Sequence, residues 1–172
     1  SMHAGCPIGF DKLKLVTVTH KDKTGSDSTG QLIVLNTLAE KFVAIFKDLY
    51  ILGYQIEKMQ LVHNYDGNDG KSMTANNTSA FNCRAVTGGS SYSPHSFGYA
   101  IDINPLVNPY VKGSTVSPSA GKKFKDRTVS ISGTVTEEVV AIFAKHGFSW
   151  GGDWWTKDTG DYQHFWDKSR DA

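Results

Sequence analysis

Two polar clusters, far apart in the chain, hold the side chains with the most chemistry. The first runs Ser93-Pro94-His95-Ser96-Phe97-Gly98-Tyr99-Ala100-Ile101-Asp102-Ile103-Asn104-Pro105. The second is Gly147-Phe148-Ser149-Trp150-Gly151-Gly152-Asp153-Trp154, followed by Asp161-Tyr162-Gln163-His164-Phe165. Together they offer two imidazoles, a carboxylate in an apolar run, and a further acid three residues ahead of the second histidine. A catalytic zinc site needs three N/O protein ligands, one open position and a nearby general base. The residue types therefore point to a zinc-dependent hydrolase.

In the first cluster, Tyr99 to Ile103 is apolar and β-prone, so a strand there turns Ile101 and Ile103 one way and Asp102 the other. A carboxylate between two isoleucines is costly to desolvate unless a cation meets it. Gly98 allows a turn that folds His95 back beside Asp102, and Asn104-Pro105 ends the strand because proline lacks the ladder amide. Taken alone, the His95/Asp102 pair reads more often as surface or hydrogen-bonded residues than as metal ligands. The second cluster tilts the balance: Asp161 and His164 sit among Trp, Tyr and Phe, where charged groups are seldom buried without partners. No H-E-x-x-H helix occurs, and with only Cys6 and Cys83 a cysteine-based zinc site is excluded.

The run His95 to Asp102 with Ile103-Asn104-Pro105, the Trp150-Gly151-Gly152-Asp153-Trp154 stretch and Asp161-x-x-His164 resemble the M15 family of zinc peptidases. These are D-alanyl-D-alanine carboxypeptidases and L-alanyl-D-glutamate endopeptidases of bacterial walls and phage endolysins. The resemblance spans roughly residues 30 to 167. It implies that His95, Asp102 and His164 hold Zn2+ and that Asp161 is the catalytic acid/base. Arg84 falls where family members carry a substrate-binding arginine; a loop-holding arginine is the plainer reading. Many members have Glu at the base position, where this chain has Asp161. The resemblance further implies a peptidoglycan or muropeptide substrate and a secreted, periplasmic or wall-associated location. Asp153 is a candidate to orient a ligating histidine, and Trp154-Trp155 to flank the cleft or pack in the core. The competing readings are a catalytically silent zinc or peptidoglycan-binding module and a metallo-amidase with the same type of site.

The elements that must position these residues predict an α+β fold: a small antiparallel sheet with flanking helices and the zinc cleft on the sheet. Residues 1–29 form an N-terminal arm and loop of the same domain, and 30–172 the peptidase-like body. Leu13–Thr19 alternates as a strand, Asp22–Gly30 reads as a polar loop, and Leu32–Leu35 as a short strand. Thr37-x-x-Glu40 is a capping box opening a helix whose core face is Leu38, Phe42, Ile45, Phe46 and Leu49, closing near Gly53. Ile56–Tyr65 reads as a strand in which His63 is structural or at the surface. Asp66–Ala80 reads as a long polar loop walling the cleft, and Asn104–Asp126 as a second excursion. Thr136 caps a helix over Glu137–His146, and the aromatic tail returns to the sheet with His164.

Composition sets the outer bounds. The 172 residues suit a single core, and 39% hydrophobic with 12% aromatic content excludes wholesale disorder. A net charge of +1 gives no electrostatic case for nucleic acid, and no stretch approaches the about 18 apolar residues of a membrane span. A monomer is expected. Ser1-Met2 reads as an expression remnant, and the lack of an intact signal peptide says little, because a mature chain would have lost it. Cys6 and Cys83 are either one disulfide or two thiols.

Overall fold

The computed structural model describes residues 2–86, 89–154 and 159–170. Its architecture is α+β, with three small antiparallel sheets, two of which carry the longer helices. Strands β1 (Leu13–Lys21) and β2 (Asp27–Leu35) pair from Leu13↔Leu35 to Lys21↔Asp27. Their inner face carries Val16 and Val18 from one strand and Leu32 and Val34 from the other. Helix α1 (Ala39–Leu52) lays Phe42, Ile45, Phe46 and Leu49 onto that face, all at most 1% exposed. It stops at Gly53, whose φ of 75° a residue with a Cβ adopts only at a cost.

The polar Asp22–Gly30 stretch is a loop only as far as Ser26. Asp22 Oδ1 accepts the Thr24 and Ser26 amides and closes a tight turn. From Asp27 the chain is strand, polar outside and anchored inside by Gly30, where an added Cβ would lie 2.6 Å from Met59 Cβ. The capping box at Thr37 is replaced by a 3-10 turn, Asn36–Leu38, and α1 starts without a side-chain cap.

The expected strand over Ile56–Tyr65 does not form. Ile56, Met59 and Val62 are buried at a spacing of three, and the segment ends in a 3-10 turn, Val62–Tyr65. A strand would need alternation, and this burial pattern has none. His63 is exposed. Part of the Asp66–Ala80 loop is a short helix, α2 (Asp69–Thr74), capped by Asn68 Oδ1 accepting the Lys71 amide at 2.9 Å.

Two three-stranded sheets frame the remaining half. One has the order β3 (Ala100–Asp102), β8 (His164–Asp167), β6 (Phe148–Trp150). The other has the order β5 (Thr115–Ser117), β4 (Tyr110–Lys112), β7 (Thr159–Asp161). The Asn104–Asp126 excursion therefore contains a hairpin, with strands too short for periodicity to reveal. Helix α3 (Glu137–Lys145) buries Val139 and Phe143, and Phe143 stacks on Phe165 of β8 with ring centroids 3.9 Å apart. Thr136 precedes it without capping it through its side chain.

Two asparagines tie the exit of β3 to the rest of the molecule. Asn104, at φ 41° and fully buried, donates to Gln55 O and Gly133 O and accepts the Glu57 amide. Asn108 donates to Ile103 O and accepts the Val135 amide. Such saturated buried amides fix one chain path, because any other path leaves polar groups unpaired.

Candidate active site

Asp102 and His164 face each other across the central pairing of the first sheet, as register partners of β3 and β8. Residues directly paired in an antiparallel ladder share a face, so both side chains emerge on the same side. Ile101 and Ile103 point to the other side and join the core. His95 arrives from a 3-10 turn, Pro94–Phe97, opened by Ser93 and closed by Gly98 at φ 71°. Gly98 O accepts the Leu35 amide at 2.7 Å, which fastens the turn to β2.

The ligand atoms converge. His95 Nε2 lies 3.2 Å from Asp102 Oδ2, His164 Nδ1 lies 3.0 Å from Asp102 Oδ1, and the two ring nitrogens are 3.2 Å apart. For zinc ligands about 2.0–2.1 Å from the ion, the edge of a tetrahedron is about 3.3 Å. The donor set thus matches in chemistry and in spacing, and the three residues are only 3–7% exposed. The other nitrogen of His95, Nδ1, meets Ala80 O at 2.7 Å, the backbone contact that commonly orients a ligating imidazole. Ala80 is held in turn, since the flanking Ser79 exchanges two backbone bonds with Asp102 and Phe81 donates to Ile33.

The three groups act on one another electrostatically. Burial disfavours the Asp102 carboxylate, but the His95 and His164 rings outweigh it and hold its pKa far below the usual range. Burial likewise disfavours a charged His164, and the Asp102 hydrogen bond and charge raise its pKa despite that.

Asp161 comes from the second sheet. Ser117, Tyr110 and Asp161 are paired in one row across β5, β4 and β7 and share a face. All three line a cleft of ≈ 250 Å³ together with His95, Asp102, His164, Arg84 and Asp69. Asp161 is half-buried, but its Oδ1 is sealed and has no hydrogen-bond partner among the described residues. Burial, with the Asp102 charge adding to it, pushes its pKa up to about 6. A carboxylate poised there can take a proton near neutral pH and give it back.

Arg84 closes the far end of the cleft. Its backbone N–H and C=O both bond Ser96 Oγ, so the turn that carries His95 also positions Arg84. Its guanidinium pairs Asp69 at 3.1 Å and donates to Ala85 O.

The structure therefore brings all five expected residues, Arg84, His95, Asp102, Asp161 and His164, to one cleft. Asp153 is exposed, and the group that meets His95 Nδ1 is the Ala80 carbonyl instead. Of the expected Trp154-Trp155 wall, Trp155 and the Trp154 side chain lie outside what the structure describes. The Asp66–Ala80 segment does wall the cleft, through Asp69 and Met73. Tyr110, Ser117 and Gln163 carried no signal of their own in sequence; strand pairing and the β7–β8 turn deliver them. Gln163 is 3% exposed, donates to Ser117 O and leaves its Oε1 unpaired among the described residues.

Residues 87–166 match a family model described as D-alanyl-D-alanine carboxypeptidase. The matched segment takes in His95, Asp102, Asp161 and His164, and Arg84 lies three residues before it. Among curated proteins and solved structures, nothing matches this chain.

Proposed function

Starting from a chain that carries an M15-type peptidase segment over residues 87–166, we propose a zinc-dependent hydrolase of peptidoglycan stem peptides. The bond cut would be that of a D-Ala-D-Ala carboxypeptidase or of an L-Ala-D-Glu endopeptidase. One observation carries the reading. A buried N/N/O donor set and a fourth, uncommitted carboxylate share one cleft, and a purely structural zinc would use its fourth position for a protein ligand.

His95, Asp102 and His164 would hold the metal, which when bound supplies a Lewis acid for the scissile carbonyl and the attacking water. Asp161 accepts the water's proton and passes it to the leaving amine, a task for which its raised pKa suits it. Arg84 offers a planar donor fork to a substrate carboxylate or to the developing oxyanion. Tyr110 and Ser117 form the floor on which the peptide lies. A disulfide between Cys6 and Cys83 supports a location in an oxidising, extracytoplasmic compartment. No helix among the described residues is long and apolar enough to cross a membrane.

The test is hydrolysis of purified stem peptides by zinc-loaded protein, scored for release of D-Ala or of an L-Ala-terminated fragment. Chelation should abolish the activity and added zinc restore it. Failure to cut either bond at full zinc occupancy would overturn the reading.

A further inference from the structure

Asp69 lies on the same cleft as Arg84, on the helix that forms the wall opposite the histidine turn. Its Oδ2 is 3.1 Å from Arg84 Nη2, and both side chains keep about a fifth to a quarter of their surface exposed (21% and 24%). Arg84 Nη1 donates to Ala85 O at 3.3 Å, and Arg84 Nε is sealed with no partner among the described residues. The guanidinium is therefore held at both terminal nitrogens, each of which keeps a further N–H for a ligand. Behind it, Ser96 Oγ fixes the arginine backbone.

An arginine loses several rotatable bonds' worth of freedom when it grips a ligand, and a partner that holds it beforehand removes that cost from the binding step. A carboxylate beside the fork also opposes binding, because it neutralises the charge an anionic substrate seeks. The two effects have opposite signs, so substitution can tell them apart. Nothing else in the cleft explains a largely buried acid beside the arginine of a site whose remaining acids are assigned to the metal group and to proton transfer.

We infer that Asp69 is a positioning residue: it presets the Arg84 fork for a carboxylate of the stem peptide. The inference rests on the peptidase reading above and on Arg84 binding a carboxylate. Asp69→Ala frees the arginine and should raise KM about tenfold with kcat little changed. Asp69→Asn keeps an acceptor at the same place and should restore a KM close to that of the parent enzyme.

The assay uses zinc-loaded full-length protein with the stem peptide it cleaves and the same peptide with each carboxylate in turn converted to a carboxamide. One conversion should cost the parent enzyme tens-fold in kcat/KM and cost Asp69→Ala far less. In an Arg84→Lys background, Asp69→Ala should add little. An Asp69→Ala enzyme with unchanged or lowered KM overturns the inference, as does an equal KM rise on the carboxamide peptide. Should Asp69→Ala fail to load zinc or fold, the Asn variant decides alone: a KM raised as far as that of Arg84→Lys refutes the positioning role. A zinc-loaded parent enzyme that cuts no stem peptide defeats the peptidase reading itself, a result distinct from all of these.

Discussion

Asp102 and Asp161 are two aspartates of one cleft whose protonation runs in opposite directions. The histidines hold Asp102 ionised against burial, whereas burial and the Asp102 charge push Asp161 up to about 6. Groups driven apart in this way are candidates for separate roles, one ligating and one carrying protons. For Asp161 the folded value lies above the unfolded one, so its favourable contribution is present at low pH and is lost as pH rises through about 6. Metal-free Asp161→Asn should therefore be more stable than the metal-free parent at pH 8, by up to about 2 kcal/mol, and the gap should close below about pH 4. Denaturant titrations at both pH values check this, and a gap independent of pH would refute it. In the zinc-loaded enzyme Asp161→Asn should keep its metal and lose roughly 10²-fold in kcat. Loss of the metal instead would make Asp161 a ligand. Ala at His95, Asp102 or His164 should abolish stoichiometric zinc, measured by elemental analysis, and full occupancy in His164→Ala would refute the ligand set. Arg84→Lys should lose tens-fold in kcat/KM, since an ammonium cannot reproduce the fork, and unimpaired kinetics would make Arg84 a loop-holding residue.

At the scale of elements, the two sheets must keep their relative placement for Asp161 to share a cleft with His95, Asp102 and His164. Gly151 sits at that seam. A Cβ there would lie 2.6 Å from Asp161 O and 2.7 Å from Asp161 Cβ, contacts that only a shift of β7 relieves. Gly151→Ala should leave zinc content intact, because β3, β8 and the His95 turn are untouched, and should lower kcat by about tenfold or more. Parent-like turnover would show that β7 has slack. The same seam marks the limit of what the sequence discloses. Helices α1 and α3 and strands β1, β3 and β8 are legible because each has periodicity, a stop residue or an apolar run. The strands β4, β5 and β7 are three residues each, shorter than the alternation that would announce them. Ile56–Tyr65 misleads because a short run mixing apolar and polar residues reads as a strand, whereas its buried residues recur at every third position. In the site, His95, Asp102, Asp161 and His164 stand out by type and spacing. Asp69, Tyr110, Ser117 and Gln163 are ordinary polar residues that only pairing and packing bring to the cleft.

Across the whole molecule, the Cys6–Cys83 disulfide spans a sequence separation of 77 and joins the N-terminal arm to the residue next to Arg84. His3 Nε2 meets Cys83 O at 3.2 Å and Tyr92 donates to Gly5 O, so the arm is bound to both segments joined by the Ala85↔Tyr92 bridge. Closing so long a loop restricts the unfolded chain, an effect of about 4 kcal/mol at most by chain entropy, with measured values commonly about 2–4. The three residues proposed to hold zinc lie on β3, β8 and the His95 turn, whose backbone bonds to β2 and to Ser79 do not pass through the arm. The two consequences should therefore separate. A Cys6→Ser/Cys83→Ala protein, or the reduced parent, should keep one zinc per chain at 25 °C. Its thermal midpoint should fall by about 5–15 °C, using about 2–4 °C per kcal/mol for a domain of this size. Because Cys83 is covalently next to Arg84, KM should rise more than kcat falls. Scanning calorimetry of the zinc-loaded forms, with and without reductant, gives the first quantity, and stem-peptide kinetics on the same samples give the second. An unchanged midpoint would mean that the arm is held by packing alone, and a loss of zinc would mean that it supports the metal group directly.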